Sequence, residues 1–373
     1  MFSISLSNSP AATPATAGVL PLAANRSIHG AVQRVNPVQH ADWDKILAVH
    51  PQHSFFHGAA WAKVLETAYQ FTPGYFAVIQ EGAVHSLLPI MEVDSPLTGR
   101  RGVALPFTDD CEPLYSNDDS TAELVQNAME FGRARGWKYI EFKGGRKLFK
   151  EAPASLSFYG HRLNLVDDEE VMFSRLGGSV RRAIRKAQKS GLTVEISRSP
   201  DAIRIFHSLQ CETRKKHGLP PQSFDFFRHI QEHILSKNLG MVVLARYQGR
   251  PVAAAVHFYL GRQAIYKYGA SDMAFQHLRG NNLVMWEAIK WHARNGSTVL
   301  DLGRASLANQ GLRRFKLGWG AEERPIEYFK YNLRENRFLT DTDETSGWHN
   351  RLFRTLPLGF SRMIGAALYR HWA

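Results

Sequence analysis

One order of elements runs through this chain twice, and that repeat limits the fold more than any other feature. In the first pass, Ala41–His50 and His57–Tyr69 read as helices, the second with Trp61, Val64, Leu65 and Ala68 on one face. Strands Tyr75–Gln80 and Ala83–Val93 follow across Glu81-Gly82, a hairpin signal. A strand at Arg101–Pro106, a helix at Thr121–Arg135 stopped by Gly136, and strands at Lys138–Phe142 and Arg162–Val166 complete it. The second pass begins with a strand at Leu192–Ile196 and helices at Asp201–His217 and Phe224–Ser236. It continues with a hairpin, Met241–Tyr247 and Pro251–Tyr259, across Gln248-Gly249, and a strand at Gln263–Gly269. Helix Asn282–Arg294, strand Val299–Leu302, short helix Gly311–Leu317 and strand Ile326–Tyr331 end it. The two passes lie about 170 residues apart, which predicts a tandem of related domains rather than a solenoid.

The length agrees, since 373 residues exceed what one ordinary core accommodates. The predicted segments are a disordered leader at 1–28, domains at 29–168 and 169–332, and a tail at 333–373. The leader is rich in Ser, Ala, Pro and Asn, and Asp167-Asp168-Glu169-Glu170 marks the domain boundary. Within the tail, Leu352, Phe353, Leu356, Leu358, Met363 and Ile364 alternate with Arg351, Arg354, Arg362 and Arg370. That pattern reads as a basic amphipathic helix broken by Pro357, packing on the first domain or touching a membrane surface.

Charge narrows the partners. A net charge of +12 favours anionic ones: nucleic acid, phosphorylated cofactors, nucleotide-linked or lipid-linked substrates. Its clearest concentration is Ser179–Ser190, where Arg181, Arg182, Arg185, Lys186 and Lys189 share one broad helical face opposite Val180, Ala183, Ile184 and Ala187. No acidic residue lies between Met172 and Val194 to offset them. This face is read as contacting phosphates, or else as a solvated surface. Two cysteines, Cys111 and Cys211, give no disulfide framework. No basic residue precedes Arg26, so the signal-peptide pattern is not met and the expected place is the cytoplasm, with peripheral contact at the inner membrane face. Clustered His or Cys ligands, a P-loop and a G-x-S-x-G elbow are not found, so no metal is expected.

Several residues could carry chemistry. Arg279-Gly280-Asn281-Asn282 opens a helix, where Gly280 allows close backbone approach, either Asn can cap, and the free N–H groups favour an anion. Asp301 and Arg304 end a strand. Asp301 could orient or deprotonate an amine and Arg304 hold an anion, or the two could form an ion pair. Tyr266 and Tyr268 fall on one strand face by two-residue alternation, as a proton donor to a leaving group or as packing.

The order of the second half resembles the GNAT acyltransferase fold. Trp286, Ile289, Asp301-Leu302-Gly303-Arg304 and Gly311-Leu312-Arg313-Arg314-Phe315-Lys316-Leu317-Gly318-Trp319-Gly320-Ala321 resemble the Fem-type peptidyltransferases and, equally, the CelD-like acetyltransferase domain. Phe55-Phe56-His57, Trp61, Leu88-Pro89, Leu105-Pro106-Phe107 and Leu356-Pro357-Leu358 are similar to the exosortase (PEP-CTERM)-associated Fem-like proteins of exopolysaccharide clusters. The resemblance implies an α/β (α+β) fold of tandem GNAT-like domains, each a mixed, mostly antiparallel sheet flanked by helices. It implies that two strands splay apart to admit an acyl carrier, with a helix N-terminus at the carrier's phosphates. Gln276-His277-Leu278-Arg279-Gly280-Asn281 departs from the usual GNAT phosphate loop, so the donor stays open between acyl-CoA and aminoacyl-tRNA, with tRNA as a partner in the second case. The resemblance places Lys316 beside the reacting carbonyl; with it, Asp301 and Tyr268 are the candidate catalytic residues, and Arg304, Arg181, Arg182, Arg185, Arg279, Gly280, Asn281 and Asn282 the candidate substrate contacts. No permanently bound cofactor is implied. Three functions follow: an aminoacyltransferase acting on a cell-envelope (peptidoglycan-type) or exopolysaccharide amine, an acyl-CoA-dependent N-acyltransferase, or a binding module that has lost catalysis.

Overall fold

The protein is described from a computed structural model covering residues 31–115, 118–341 and 353–372, so the predicted leader lies outside the described residues. Two compact units interleave in sequence: 1–158 with 325–345 and 370–373, and 159–324 with 346–369.

The first unit contains strands β1 (Gln33–Val35), β2 (Thr72–Pro73), β3 (Tyr75–Gln80), β4 (Ala83–Leu88), β5 (Met91–Ser95), β6 (Gly99–Val103) and β7 (Tyr139–Lys143), and helices α1 (Trp43–Leu47), α2 (Ala59–Tyr69) and α3 (Asp118–Ala134). Strands β1, β3 and β4 form a small sheet, and β2-β5-β6-β7 a second one. The single strand expected at Ala83–Val93 is divided between them. Pro89 has no N–H to give a ladder, and the chain changes sheet there. Trp43 and Trp61 are almost fully buried, and their indole N–H groups donate to the His57 and Pro106 carbonyls.

Strand β8 (Leu156–Asn164) carries the chain into the second unit, followed by α4 (Glu169–Arg175), α5 (Gly178–Lys189), β9 (Leu192–Ser197), α6 (Pro200–Lys216) and α7 (Phe224–His233). Next come β10 (Gly240–Tyr247), β11 (Arg250–Leu260), β12 (Gln263–Ser271), α8 (Gly280–Arg294), β13 (Val299–Ser306) and α9 (Gln310–Leu317). Strand β14 (Glu322–Asn332) then crosses back, β15 (Arg337–Leu339) pairs with it, and α10 (Leu358–Leu368) belongs to the second unit.

Strands β9 to β12 are antiparallel neighbours, β12 and β13 are parallel, and β8 lies beyond β13. On one face, α5 and α8 seal a core of Ile184, Trp286, Ile289, Leu302 and Trp319. The sheet is thus mixed and mostly antiparallel, flanked by helices, as the resemblance implied. The domain limits differ from those expected at 168 and 332. Tyr328–Asn332 of β14 pairs in register with Tyr139–Lys143 of β7, so the strand read as closing the second domain is divided between the units.

The tail helix also differs from expectation. It packs on α6 of the second unit rather than on the first domain. Ser361 and Gly365 face inward, and Gly365 lies so close to the Pro221 carbonyl that any side chain would collide. Arg214 donates to the Tyr369 hydroxyl behind it. The start of the tail, to Asp341, and its last described residues, 370–372, belong to the first unit, where Arg101 donates to the His371 carbonyl. Among the described residues, no helix is long and apolar enough to cross a membrane.

Both units bury uncharged histidines. Burial pushes His57 down to about 4, and His292 to about 3 where its Nε2 meets His257 Nδ1 at 3.2 Å. His257 is lowered too, by burial and then by His292. These folded values lie below the roughly 6.5 of an unfolded chain, so the unfolded state takes up protons first as pH falls. Their contribution is complete above about pH 6.5 and is lost on the way down towards the folded values. Urea unfolding should show stability falling by about 2 kcal/mol per such histidine between pH 7 and pH 5, and a flat profile over that range contradicts this.

Candidate active site

Strands β12 and β13 stay together only briefly. Their parallel register runs Gln263↔Val299, Ala264↔Leu300 and Ile265↔Asp301, yet β12 continues to Ser271 and β13 to Ser306. The pairing stops at Ile265↔Asp301, and local features mark that point on both strands. In β13 the Asp301 carboxylate accepts the Gly303 N–H at 2.6 Å, so a side chain takes a donor that a ladder would use. Gly303 holds φ 74°, a left-handed conformation that side chains disfavour. In β12 the register against β11 shifts between Val256 and His257, leaving Lys267 as the extra residue of a bulge.

The bulge overturns the expected alternation. Tyr266 packs with His257 beneath α8, and burial pushes its hydroxyl up to about 12. Tyr268 instead meets Phe206 and Phe227 of α6 and α7, at ring distances of 6.2 and 5.6 Å. The two tyrosines therefore face opposite sides of the sheet. Lys267 itself is buried, its ammonium 5.3 Å from the Tyr268 ring centre. Sequence reasoning passed over it, although a lysine between two tyrosines in an apolar strand was the available signal.

Lys316 lies at the divergent end of β13. It is 5% exposed, and its ammonium donates to the Arg304 carbonyl at 2.8 Å. Its helix is clamped by residues distant in sequence. Asn309 caps α9 by accepting from Leu312 N, and Arg313 donates to both Glu323 oxygens at 3.0 and 2.8 Å while lying 4.0 Å over the Tyr159 ring. Arg313 holds the Glu323 carboxyl below its ordinary range. His161 of β8, fully buried, meets the same carboxylate at 3.1 Å. Burial, followed by the charge of Lys316, lowers His161 below the ordinary histidine value. His161 and Glu323 are site residues that sequence reasoning missed, since nothing local links β8 to β14.

The remaining candidates divide into three groups. The second oxygen of Asp301 lies 3.5 Å from Arg162, and Arg304 is buried. Around α8, neither Asn281 nor Asn282 caps the helix: Arg279, at φ 62°, occupies that position, and Asn281 donates to Ser271 at the end of β12. Gly280 is buried where an added Cβ would come within 3.1 Å of the Ala253 methyl, a close fit of helix on strand. On α5, Arg182, Arg185, Lys186 and Lys189 are exposed and Arg181 half-buried. The entry to α5 touches the end of α9, because Gly177 N donates to the Gly318 carbonyl at 2.8 Å. The structure thus gathers Lys316, Arg304 and the start of α5 at one end of β13, with the start of α8 at the end of β12, and sends Tyr268 to the α6–α7 face.

Residues 174–330 match the family described as an acetyltransferase (GNAT) domain. This stretch is an acyltransferase domain, and the chain is an acyltransferase. Among solved structures, FemX is similar at 15% identity and TM-score 0.65, over 80% of this chain and 96% of that one. The C-terminal domain of a putative lysylphosphatidylglycerol synthetase from Agrobacterium fabrum is similar at 15% identity and TM-score 0.52, over 78% and 90%. A tandem GNAT protein from the clavulanic acid biosynthesis pathway is similar at 8% identity and TM-score 0.50, over 81% and 98%. These likenesses establish a Fem-like GNAT fold. No curated protein sequence matches.

If the Asp301–Gly303 turn sets the divergence, Gly303→Ala should strain the backbone by roughly 1–2 kcal/mol. It should also lower turnover at least tenfold while the protein stays folded by circular dichroism. Full activity in this variant would show that the turn does not position Lys316.

Proposed function

We propose that the chain transfers an acyl or aminoacyl group to an amine of a cell-envelope or exopolysaccharide precursor. The observation carrying this reading is the buried Lys316 ammonium, fixed by the Arg304 carbonyl where β12 and β13 have separated. Amide formation joins the amine nitrogen to the carbonyl carbon. It breaks the ester or thioester bond, and the amine's proton leaves with the departing alkoxide or thiolate. Negative charge develops on the carbonyl oxygen meanwhile. A preorganised cation in a site sheltered from water stabilises that charge without reorganising. Lys267 and Arg304, also buried, add to the positive field.

On this reading Asp301 serves geometry rather than proton transfer, since its carboxylate is engaged by Gly303 and Arg162. Tyr268, within the aromatic cluster, shapes a substrate wall. The exposed cations of α5 contact phosphates of a nucleotide-linked acceptor or of aminoacyl-tRNA. Arg354 and Arg362, with exposed Phe360 and Met363, suit peripheral contact with an acidic membrane carrying a lipid-linked acceptor.

A second reading, acyl-CoA as donor, draws on the start of α8 beside Ser271, where helix N–H groups and Arg279 suit a pyrophosphate. Thermal stabilisation separates the donors, because a ligand that binds only the folded state raises the melting temperature. A shift with acyl-CoA that Arg279→Ala abolishes identifies CoA. A shift with aminoacyl-tRNA that weakens steeply with salt, and is lost when Arg182, Arg185 and Lys186 become serine, identifies tRNA. Lys316→Met should lower turnover by about 10²- to 10³-fold with the fold retained. An unchanged rate removes Lys316 from the mechanism.

A further inference from the structure

Helix α7 brings three metal-ligating side chains together that the sequence spacing alone did not single out. It contains His229-Ile230-Gln231-Glu232-His233, which sets the two histidines one turn apart with the glutamate beside them. Their rings are parallel within 1°, with centres 5.7 Å apart. Glu232 Oε2 lies between them, 3.3 Å from His229 Nδ1 and 3.9 Å from His233 Nε2. One ligand atom from each residue falls within 4.8 Å of the others. Ligands around a tetrahedral zinc ion, at bonds of about 2.0–2.2 Å, sit roughly 3.3–3.5 Å from one another. The three atoms therefore need only small side-chain rotations to converge.

We propose that His229, His233 and Glu232 bind one divalent transition-metal ion of the zinc class, with water completing its shell. Two imidazoles and one carboxylate suit Zn²⁺ and exclude the hard cations that prefer all-oxygen sites. A second contact supports the geometry. Asp225, one turn earlier, places Oδ2 3.4 Å from His229 Nε2, the carboxylate–histidine arrangement that turns the opposite nitrogen towards a metal. With Nε2–H directed at Asp225, Nδ1 is left as the coordinating atom. Arg228, whose Nη2 lies 3.2 Å from the same Nε2 and which also contacts Asp225 and Glu232, must then shift towards the carboxylates alone. The helix is firmly seated, because Phe226, Phe227 and Ile230 are fully buried. The ion would sit over the last turn of α7, where helix carbonyls favour a cation. It would fasten that turn, separately from acyl transfer.

The test uses the full chain, stripped with a chelator and titrated with Zn²⁺ by calorimetry, with Co²⁺ as a spectroscopic probe. The expected result is one ion per chain, visible absorption of tetrahedral Co²⁺, and a melting temperature that rises with Zn²⁺. His233→Ala and His229→Ala should each remove the response without altering the metal-free melting curve. Asp225→Asn should weaken binding by about 10- to 100-fold. His85→Ala, in the other unit, should leave binding intact. A metal-free protein after titration, or stoichiometric binding that survives His229→Ala with His233→Ala, overturns the proposal.

Discussion

The architecture of the second unit turns on one short hydrogen bond, from the Gly303 N–H to the Asp301 carboxylate. A parallel strand pair gains a ladder bond for each residue it extends, so two neighbouring strands normally stay paired. Here a side chain satisfies the donor first. The strand can leave its neighbour without a buried N–H going unpaired, which would itself cost about 1–3 kcal/mol. The bulge at Lys267 relieves the opposite strand at the same level. The Lys316 ammonium can be buried at the mouth of the separation because the Arg304 carbonyl receives it.

Where a signal was local, the sequence was readable. Glu81-Gly82 and Gln248-Gly249 both take positive φ, and both hairpins form where expected. The cationic face of α5 also stands, since Val180, Ile184 and Ala187 are buried opposite it. The failures have a common origin in non-local partners. No period-two pattern reveals a bulge, because the extra residue is defined only against β11; Tyr266 and Tyr268 were therefore read on one face. Pro89 was visible, but its effect depended on which sheet each flanking strand would join.

The candidate site follows the same rule. Lys316 was accessible through resemblance, whereas the groups that hold its helix in place were not. Glu323 receives Arg313 from ten residues away and His161 from another strand, so the clamp exists only once β8 and β14 are in position. Asp301 was readable as a polar residue at a strand end, yet whether it pairs, deprotonates or turns the chain depends on a glycine two residues later and an arginine on β8.

The interleaving of the two units also bears on how the chain is made. A ribosome releases residues in order, and β7 of the first unit takes its partner from residues 328–332 of β14. Until those residues emerge, β7 presents an unfilled strand edge, the kind of surface that invites mispairing. The whole second unit up to Arg324 must be synthesised before the first can close. Late, long-range closure of this sort makes folding slow. It also gives the two units a shared fate: a chain stopped near residue 320 loses part of both.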